Sequence, residues 1–418
     1  MRKTALLVLF VFLFLPQFSV SGQYSPGLPG QDLVMKVALI GPGSELYFWW
    51  GHIALVVEDR RAGTSRFFDW GVFSFDTENF FKNFAFGNLI YSCMVSPTYR
   101  NFEVYKRTNR DIILYTLNLP PERKLAVLEL AEINMLPENR DYLYHHFIDN
   151  CATRIRDIID YAVGGQFWAK YGEMPSRFTL RQHVRRHTWF NPFVDWILNF
   201  WMGQGIDRPI TVWDDMFLPS EVTKRILEFQ FVWPDGEKRP LVSDVEIVFQ
   251  STGRPAVLDV PRLQWPRTLL ASLLFSGALV VLFLRFGQRK CFAVFNGLFQ
   301  SFLGLFFGIA GSLLFFMMFF TNHDYTFYNS NIIFVNPLFF LLVPFGFIFA
   351  FSKNESKRLK AALTMKFFWV YVFFGSFLTI LIKLFPAFYQ QNQNTQSLVM
   401  PVALAMIFMM WSSRKNNG

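Results

Sequence analysis

Hydrophobic and polar positions follow three different patterns along this chain. At the start, residues 5–15 form an unbroken apolar run behind Arg2 and Lys3. The run ends at Pro16 and the small residues Ser19-Val20-Ser21-Gly22. That is the pattern of a secretory signal over residues 1–22. Between residues 33 and 119, short strand-like runs are separated by turn residues. Strands are expected at 33–40, 51–58, 66–70, 89–96 and 111–119, with turns at Gly41-Pro42-Gly43-Ser44 and at 60–64. A short amphipathic helix is expected near 77–86 and a longer one at 121–136, with proline at its start. Residues 177–230 read as mostly helical, and 241–260 return to short β-type runs. Residues 23–266 therefore form an expected α+β unit.

From residue 267 the pattern changes to long apolar runs. Five are expected to span a membrane, near 269–284, 292–320, 332–351, 367–382 and 398–411, so residues 267–418 read as an all-α, five-helix transmembrane domain. The connecting loops set the orientation. Arg285, Arg289 and Lys290 follow the first run, Lys353, Lys357, Arg358 and Lys360 the third, and Arg414 and Lys415 the fifth. Residues 321–331 carry no lysine or arginine. By the positive-inside rule the basic loops and the C-terminus are cytoplasmic, and residues 23–266 lie outside. Arg262 and Arg267, outside the first run, are a small contrary feature. The expected location is the inner (cytoplasmic) membrane, with a periplasmic N-terminal domain.

Composition supports this division. The 53 phenylalanines and 52% hydrophobic content are too apolar for one soluble globule. Residues 23–266 hold 26 Lys/Arg and 29 Asp/Glu, whereas 267–418 hold 12 and 2. The net charge of +9 thus arises among the apolar runs. It is not a nucleic-acid footprint, and no nucleic-acid partner is expected. The three cysteines, Cys93, Cys151 and Cys291, have no zinc spacing, and neither metal nor cofactor is expected.

Chemistry concentrates at Cys151. Ala152, Ile155, Ile158 and Ile159 repeat at helical spacing, and Asp149-Asn150 stand where N-cap residues belong. Cys151 is therefore expected in the first helical turn, where the helix dipole favours a thiolate. A thiol nucleophile needs a base and the base an orienting group. His52, on an apolar strand beside Gly51, is the best base, and Asp69, at the end of the following strand, is placed to orient it if the two strands pair. Glu45 is a weaker rival of Asp69. His145 and His146 read as loop residues. Arg154 and Arg181 are candidate anion or substrate contacts, each with a plain surface-charge alternative. The polar segment 321–331, with His323 and Asn331, and the following Asn336 are denser in polar groups than a connector needs; they suit either a lipid- or substrate-facing site at the outer membrane surface or an ordinary hydrophilic loop. A Cys93–Cys151 disulfide is the alternative to a catalytic Cys151.

These residues carry a family resemblance. Trp50-Gly51-His52-Ile53-Ala54-Leu55-Val56, Asp69-Trp70-Gly71-Val72-Phe73, Pro137-Glu138-Asn139-Arg140 and the run from Asp149-Asn150-Cys151-Ala152-Thr153 to Asp157 resemble the N-terminal periplasmic domain of the Lnb-type bacterial lipoprotein N-acyltransferases. Phe178–Gln182, Met216-Phe217-Leu218-Pro219, His323 and Asn329–Pro337 resemble later landmarks of the same family. The order His-then-Cys is also similar to circularly permuted papain-like folds, including the lecithin:retinol acyltransferase and NlpC-type groups. The resemblance implies a permuted papain/NlpC-like fold in which Cys151 is the nucleophile and His52 the base. It fixes the third member less well, and this chain offers Asp69. Candidate substrate contacts are Glu45, Asn150, Arg154, Arg181, His323 and Asn331. The implied activity moves a fatty acyl chain from a membrane phospholipid, through a Cys151 thioester, to the N-terminal amine of a diacylated lipoprotein. The alternatives are an NlpC-like cysteine hydrolase, acting on peptidoglycan or on lipid esters, and a non-enzymatic periplasmic scaffold.

Overall fold

Alternation of period two folds the first half of the chain into a seven-stranded antiparallel sheet. The computed structural model describes residues 28–74 and 78–412, so the signal expected at residues 1–22 and the last basic cluster lie outside the described residues. The strands are β1 (Leu33–Ile40), β2 (His52–Asp59), β3 (Thr64–Val72), β4 (Ile90–Pro97), β5 (Ile112–Leu117), β6 (Asp141–Leu143) and β7 (Val242–Phe249), in spatial order β6-β4-β3-β2-β1-β5-β7. Helices α1 (Phe80–Phe86), α2 (Thr98–Arg107), α3 (Pro121–Asn134) and α4 (Cys151–Ala162) connect or cover them. The sheet and the helices bear out the α+β expectation.

The register decides which side chains share a face. Val37 opposes Leu55 and Met35 opposes Val57, and these residues pack with Phe68 and Trp70 against Ala152, Ile155, Ile158 and Ile159 of α4. Each fully buried isoleucine contributes about 1.5–3 kcal/mol, which anchors α4 on the sheet. The intervening residues Ala38, Ile40, Ala54, Val56 and Phe67 face the other way, against Phe102 and Tyr105 of α2. Two elements were not expected from the sequence. Helix α2 touches the sheet through little more than two aromatic side chains amid polar ones, too few for a clear stripe. Strand β6 has three residues, too short for any alternation to register.

The C-terminal part is helical. Among the described residues, four segments are long and apolar enough to cross a membrane: Trp265–Phe286, Lys290–Phe320, Ser330–Phe351 and Glu355–Ile382. Helix Gln393–Ser412 coincides with the expected fifth span and packs between the first and fourth segments, but its first turns carry Gln393, Asn394 and Gln396. The second and third segments approach closely at Gly297 and Gly346, where a Cβ on either residue would collide with the carbonyl of the other. Small residues at such crossings let backbones pack in lipid.

A buried charge joins the two halves. Arg181, in helix Leu180–Thr188, is wholly inaccessible to solvent. Its guanidinium donates to Asp207 Oδ1 (2.8 Å), Asn199 O (2.9 Å), Asn199 Oδ1 (3.3 Å), Met202 O (2.8 Å) and Gly203 O (2.8 Å). The same stretch then receives the membrane part. Asn329 donates to Phe200 O (2.8 Å) and Trp201 O (3.0 Å), Asn331 to Phe200 O (3.0 Å), and Gln390 to Met202 O (3.1 Å). Gln391 N donates to the second carboxylate oxygen of Asp207 (3.1 Å). Substituting Arg181→Met strands Asp207 in the interior and is expected to cost about 3–5 kcal/mol. The readout is a lower thermal-unfolding midpoint of the purified full chain in detergent. Arg181→Lys, with three donors instead of five, is expected to recover only part of it.

Candidate active site

Cys151 is the first residue of α4, and Asn150 caps the helix. The Asn150 side-chain oxygen accepts from Ala152 N (2.8 Å) and Thr153 N (3.1 Å), while Asn150 N donates to Thr153 Oγ1 (2.8 Å). The cap therefore uses the second and third N–H groups of the helix and leaves that of Cys151 itself. A backbone N–H left over at the start of a helix is the kind of donor that can hold an oxyanion. Asn150 Nδ2 donates to His146 O (2.8 Å) and Phe217 O (3.1 Å), so its side chain is fully engaged. Asn150 builds the site through these contacts.

His52 opens β2 and Asp69 lies on the neighbouring β3. Both fall on the face that carries the α2-facing residues Ala54, Val56 and Phe67, so pairing of the strands brings them together. His52 Nε2 and Asp69 Oδ1 are 2.8 Å apart. A carboxylate only accepts, so Nε2 carries the proton and Nδ1 remains for exchange with another group. Gly71 links this pair to the cysteine. A Cβ on Gly71 would lie 3.5 Å from Cys151 Cβ and 3.5 Å from His52 Cε1. The backbone there has φ +140°, and the β3–β4 register shifts between Trp70 and Val72. A bulge occupied by glycine thus leaves Cys151 Cβ and His52 Cε1 flanking one point in space.

Burial alone would lower the pKa of His52. The charges of Asp69 and Cys151 and the hydrogen bond to Asp69 outweigh it and raise the value well above 6.5. The imidazolium is therefore favoured near neutral pH, the form that supports an adjacent thiolate. By linkage, the raised value stabilises the fold fully below about 6.5 and less as pH climbs through the folded-state value.

Cys93 differs. It is buried in the sheet beside Trp70, and burial, only partly offset by Arg154, pushes its thiol up to about 11. Both Cys93 and Cys151 are free thiols, which corrects the expected alternative of a disulfide between them.

The remaining candidates have other tasks. Arg154 makes a two-point ion pair with Asp149 (2.6 and 2.8 Å) and stacks over the Tyr142 ring, the plainer of its two expected roles. Arg181 has all its donors engaged in the joint between the halves. Asn331 is buried in the same joint, donating to Phe200 O and accepting from Asn392. Glu45 is exposed and lines a surface pocket with Ser44, Asn109 and Arg254. His323 donates from Nε2 to Phe84 O (3.0 Å) and accepts from Tyr325 OH at Nδ1 (2.8 Å). The 321–337 segment thus docks on the sheet domain. A further tie joins His145 Nε2 to Asp324 (2.8 Å), so His145, read from sequence as a loop residue, belongs to the joint. Sequence reading missed Tyr91 and Tyr144, whose rings stack at 4.1 Å beside the cysteine helix. Their only sequence signal is the aromatic content of 142–147, and their pairing is long-range.

Gly71→Val inserts branched methyl groups between thiol and imidazole and adds about 1–3 kcal/mol of backbone strain. Slower iodoacetamide labelling of Cys151 and a lower unfolding midpoint are expected. Asp69→Asn removes the charge that sustains the imidazolium and lowers the His52 pKa. The labelling rate of Cys151 as a function of pH is then expected to lose its imidazolium-assisted range from the alkaline side, at a lower pH than in the wild type.

Comparison with curated proteins finds no match, and comparison with solved structures finds none either. Residues 27–186, which contain His52, Asp69, Gly71 and Cys151, match the family model described as the Lnb N-terminal periplasmic domain. Residues 27–186 are thus similar to that domain, and they are set upon a helical part with apolar segments of membrane-crossing length.

Proposed function

We propose that the protein is a membrane-anchored thiol acyltransferase working through Cys151, His52 and Asp69. The observation that supports this most is the meeting of Cys151 and the His52–Asp69 pair at Gly71, in a periplasmic domain tied to apolar membrane helices. In this reading the first half-reaction starts with the thiolate of Cys151 attacking an ester carbonyl of a membrane phospholipid. The oxyanion is held by the Cys151 N–H. The ester C–O bond breaks as the His52 imidazolium gives its proton to the leaving alkoxide, which departs as the lysolipid. The acyl chain then rests on Cys151 as a thioester.

In the second half-reaction the N-terminal amine of a diacylated lipoprotein attacks the thioester carbonyl. Neutral His52 takes the amine proton, the C–S bond breaks, and the thiolate is restored beside the imidazolium. Asp69 keeps the imidazole in the tautomer that presents Nδ1. A membrane setting favours transfer over hydrolysis, because donor and acceptor are both held in the bilayer while water is scarce. The same reading takes the sheet and α4 as a permuted papain-like arrangement, Gln393–Ser412 as a fifth span, and the location as the inner membrane with a cytoplasmic C-terminus.

The test is mass spectrometry of lipoprotein N-termini in a bacterium without its own lipoprotein N-acyltransferase, complemented with this chain. The wild type is expected to restore N-acylation. Cys151→Ala is expected to abolish it, and His52→Ala to slow it by roughly 10²–10⁴-fold. Full N-acylation with Cys151→Ala would overturn the assignment.

A further inference from the structure

Helix α1 is an unusual surface for a domain outside a membrane. Phe81 is 73% exposed and Phe84 51%, and Phe86 is also exposed. Such a cluster facing water is a liability, whereas beside a bilayer it is an anchor. Its surroundings favour the second. Asn322 N donates to Phe86 O (2.8 Å), Asn322 Nδ2 donates to Asn88 Oδ1 (2.8 Å), and the Phe86 and Phe316 rings meet at 5.5 Å. Gly87 packs so tightly on the Asn322–His323 backbone that a Cβ would collide. These contacts fix α1 to the end of the second membrane helix. There Phe319 and Phe320 are also exposed, so one apolar surface continues from helix to helix.

From α1, rings lead inward. Phe84 stacks with Phe80 (6.1 Å), Phe80 with Phe73 (6.1 Å), Phe73 with Tyr91 (5.0 Å) and Tyr91 with Tyr144 (4.1 Å). Phe73 lies two residues beyond Gly71, where Cys151 and His52 meet. Phe73, Phe80, Tyr91 and Tyr144 are all only half-buried, so they line a surface and do not fill a core. The row offers flat apolar faces and only two hydroxyls, which suits a methylene chain better than a charged head group or a peptide backbone.

We propose that α1 sits in the outer leaflet and that the row Phe84, Phe80, Phe73, Tyr91 and Tyr144 holds one acyl chain of a phospholipid, leading its ester carbonyl to Cys151. The proposal rests on the reading of Cys151 as the acyl acceptor and adds the route by which the chain arrives. It also gives α1 a task that the catalytic groups do not need.

The experiment uses the full chain carrying Cys151→Ala, reconstituted in phosphatidylethanolamine–phosphatidylglycerol vesicles. These contain a phosphatidylethanolamine with a diazirine midway along one acyl chain. After illumination, cross-linked peptides are mapped by mass spectrometry. Label on peptides containing Phe73, Tyr91 or Tyr144, in addition to the membrane helices, is the expected result. Label confined to the membrane helices overturns the proposal. Adding Phe73→Ser is expected to reduce label at Tyr144 roughly tenfold while labelling of the membrane helices stays constant. Undiminished label at Tyr144 in that variant also overturns it. No thioester forms in these proteins, so the result is separate from the chemistry. Label in the row without acylation of wild-type Cys151 keeps the route and sinks the transferase reading. Acylation without label in the row does the reverse.

Discussion

A charge can be removed from water only when every polar atom it carries finds a partner, and Arg181 meets that demand at a joint between the two halves of the chain. Its five N–H groups fix Asp207 and the carbonyls between Asn199 and Gly203. Met202 O, held in this way, also accepts from Gln390, and the neighbouring carbonyls of Phe200 and Trp201 accept from Asn329 and Asn331 of the membrane part. Phe200 O and Met202 O each accept two of these bonds, and at Met202 O the donors from the two halves share an acceptor. The orientation of the sheet domain over the bilayer follows from this joint. The joint also places the cysteine helix, through Phe217 and the Asn150 cap, on the same rigid body.

The sheet was legible because alternation is a local signal. His52 stood out as a polar residue on an otherwise apolar strand, and Asp69 followed from the expectation that consecutive strands pair. The Asn150 cap was legible from spacing alone. Arg181 was not, because an arginine near a helix start looks the same whether it meets water or five acceptors. Those acceptors lie up to 26 residues away in sequence, and most are backbone carbonyls that carry no side-chain signature. The polar density of 321–337 was noticed, yet its purpose was only partly legible. Asn329, Asn331 and His323 face the other half of the protein, and only the folded chain shows which half supplies their partners. Tyr91 and Tyr144 were invisible for the same reason, since their contact depends on the pairing of β4 with the very short β6.

The site is economical in what it adds to the fold. The cap that starts α4 is also what singles out the Cys151 N–H. The bulge that ends regular pairing of β3 also opens the space between thiol and imidazole. The pair of neighbouring strands that builds the core also brings Asp69 to His52. Each functional feature is thus a structural feature used twice, which ties the integrity of the site to the integrity of the sheet.

Cys93 carries a different consequence. A periplasmic domain works in an oxidising compartment, where two thiols in one sheet-and-helix unit are an invitation to pair. Thiol–disulfide exchange requires a thiolate, and a group held at about 11 is almost never one at neutral pH. Burial of Cys93 therefore deprives Cys151 of a resolving partner within its own sheet-and-helix unit. Without Cys93 as a partner, an oxidant that reaches the Cys151 thiolate would drive it along a path that ends in irreversible acids. Occupation of the thiol by a bound group, not pairing with a neighbour, is the protection this architecture leaves open.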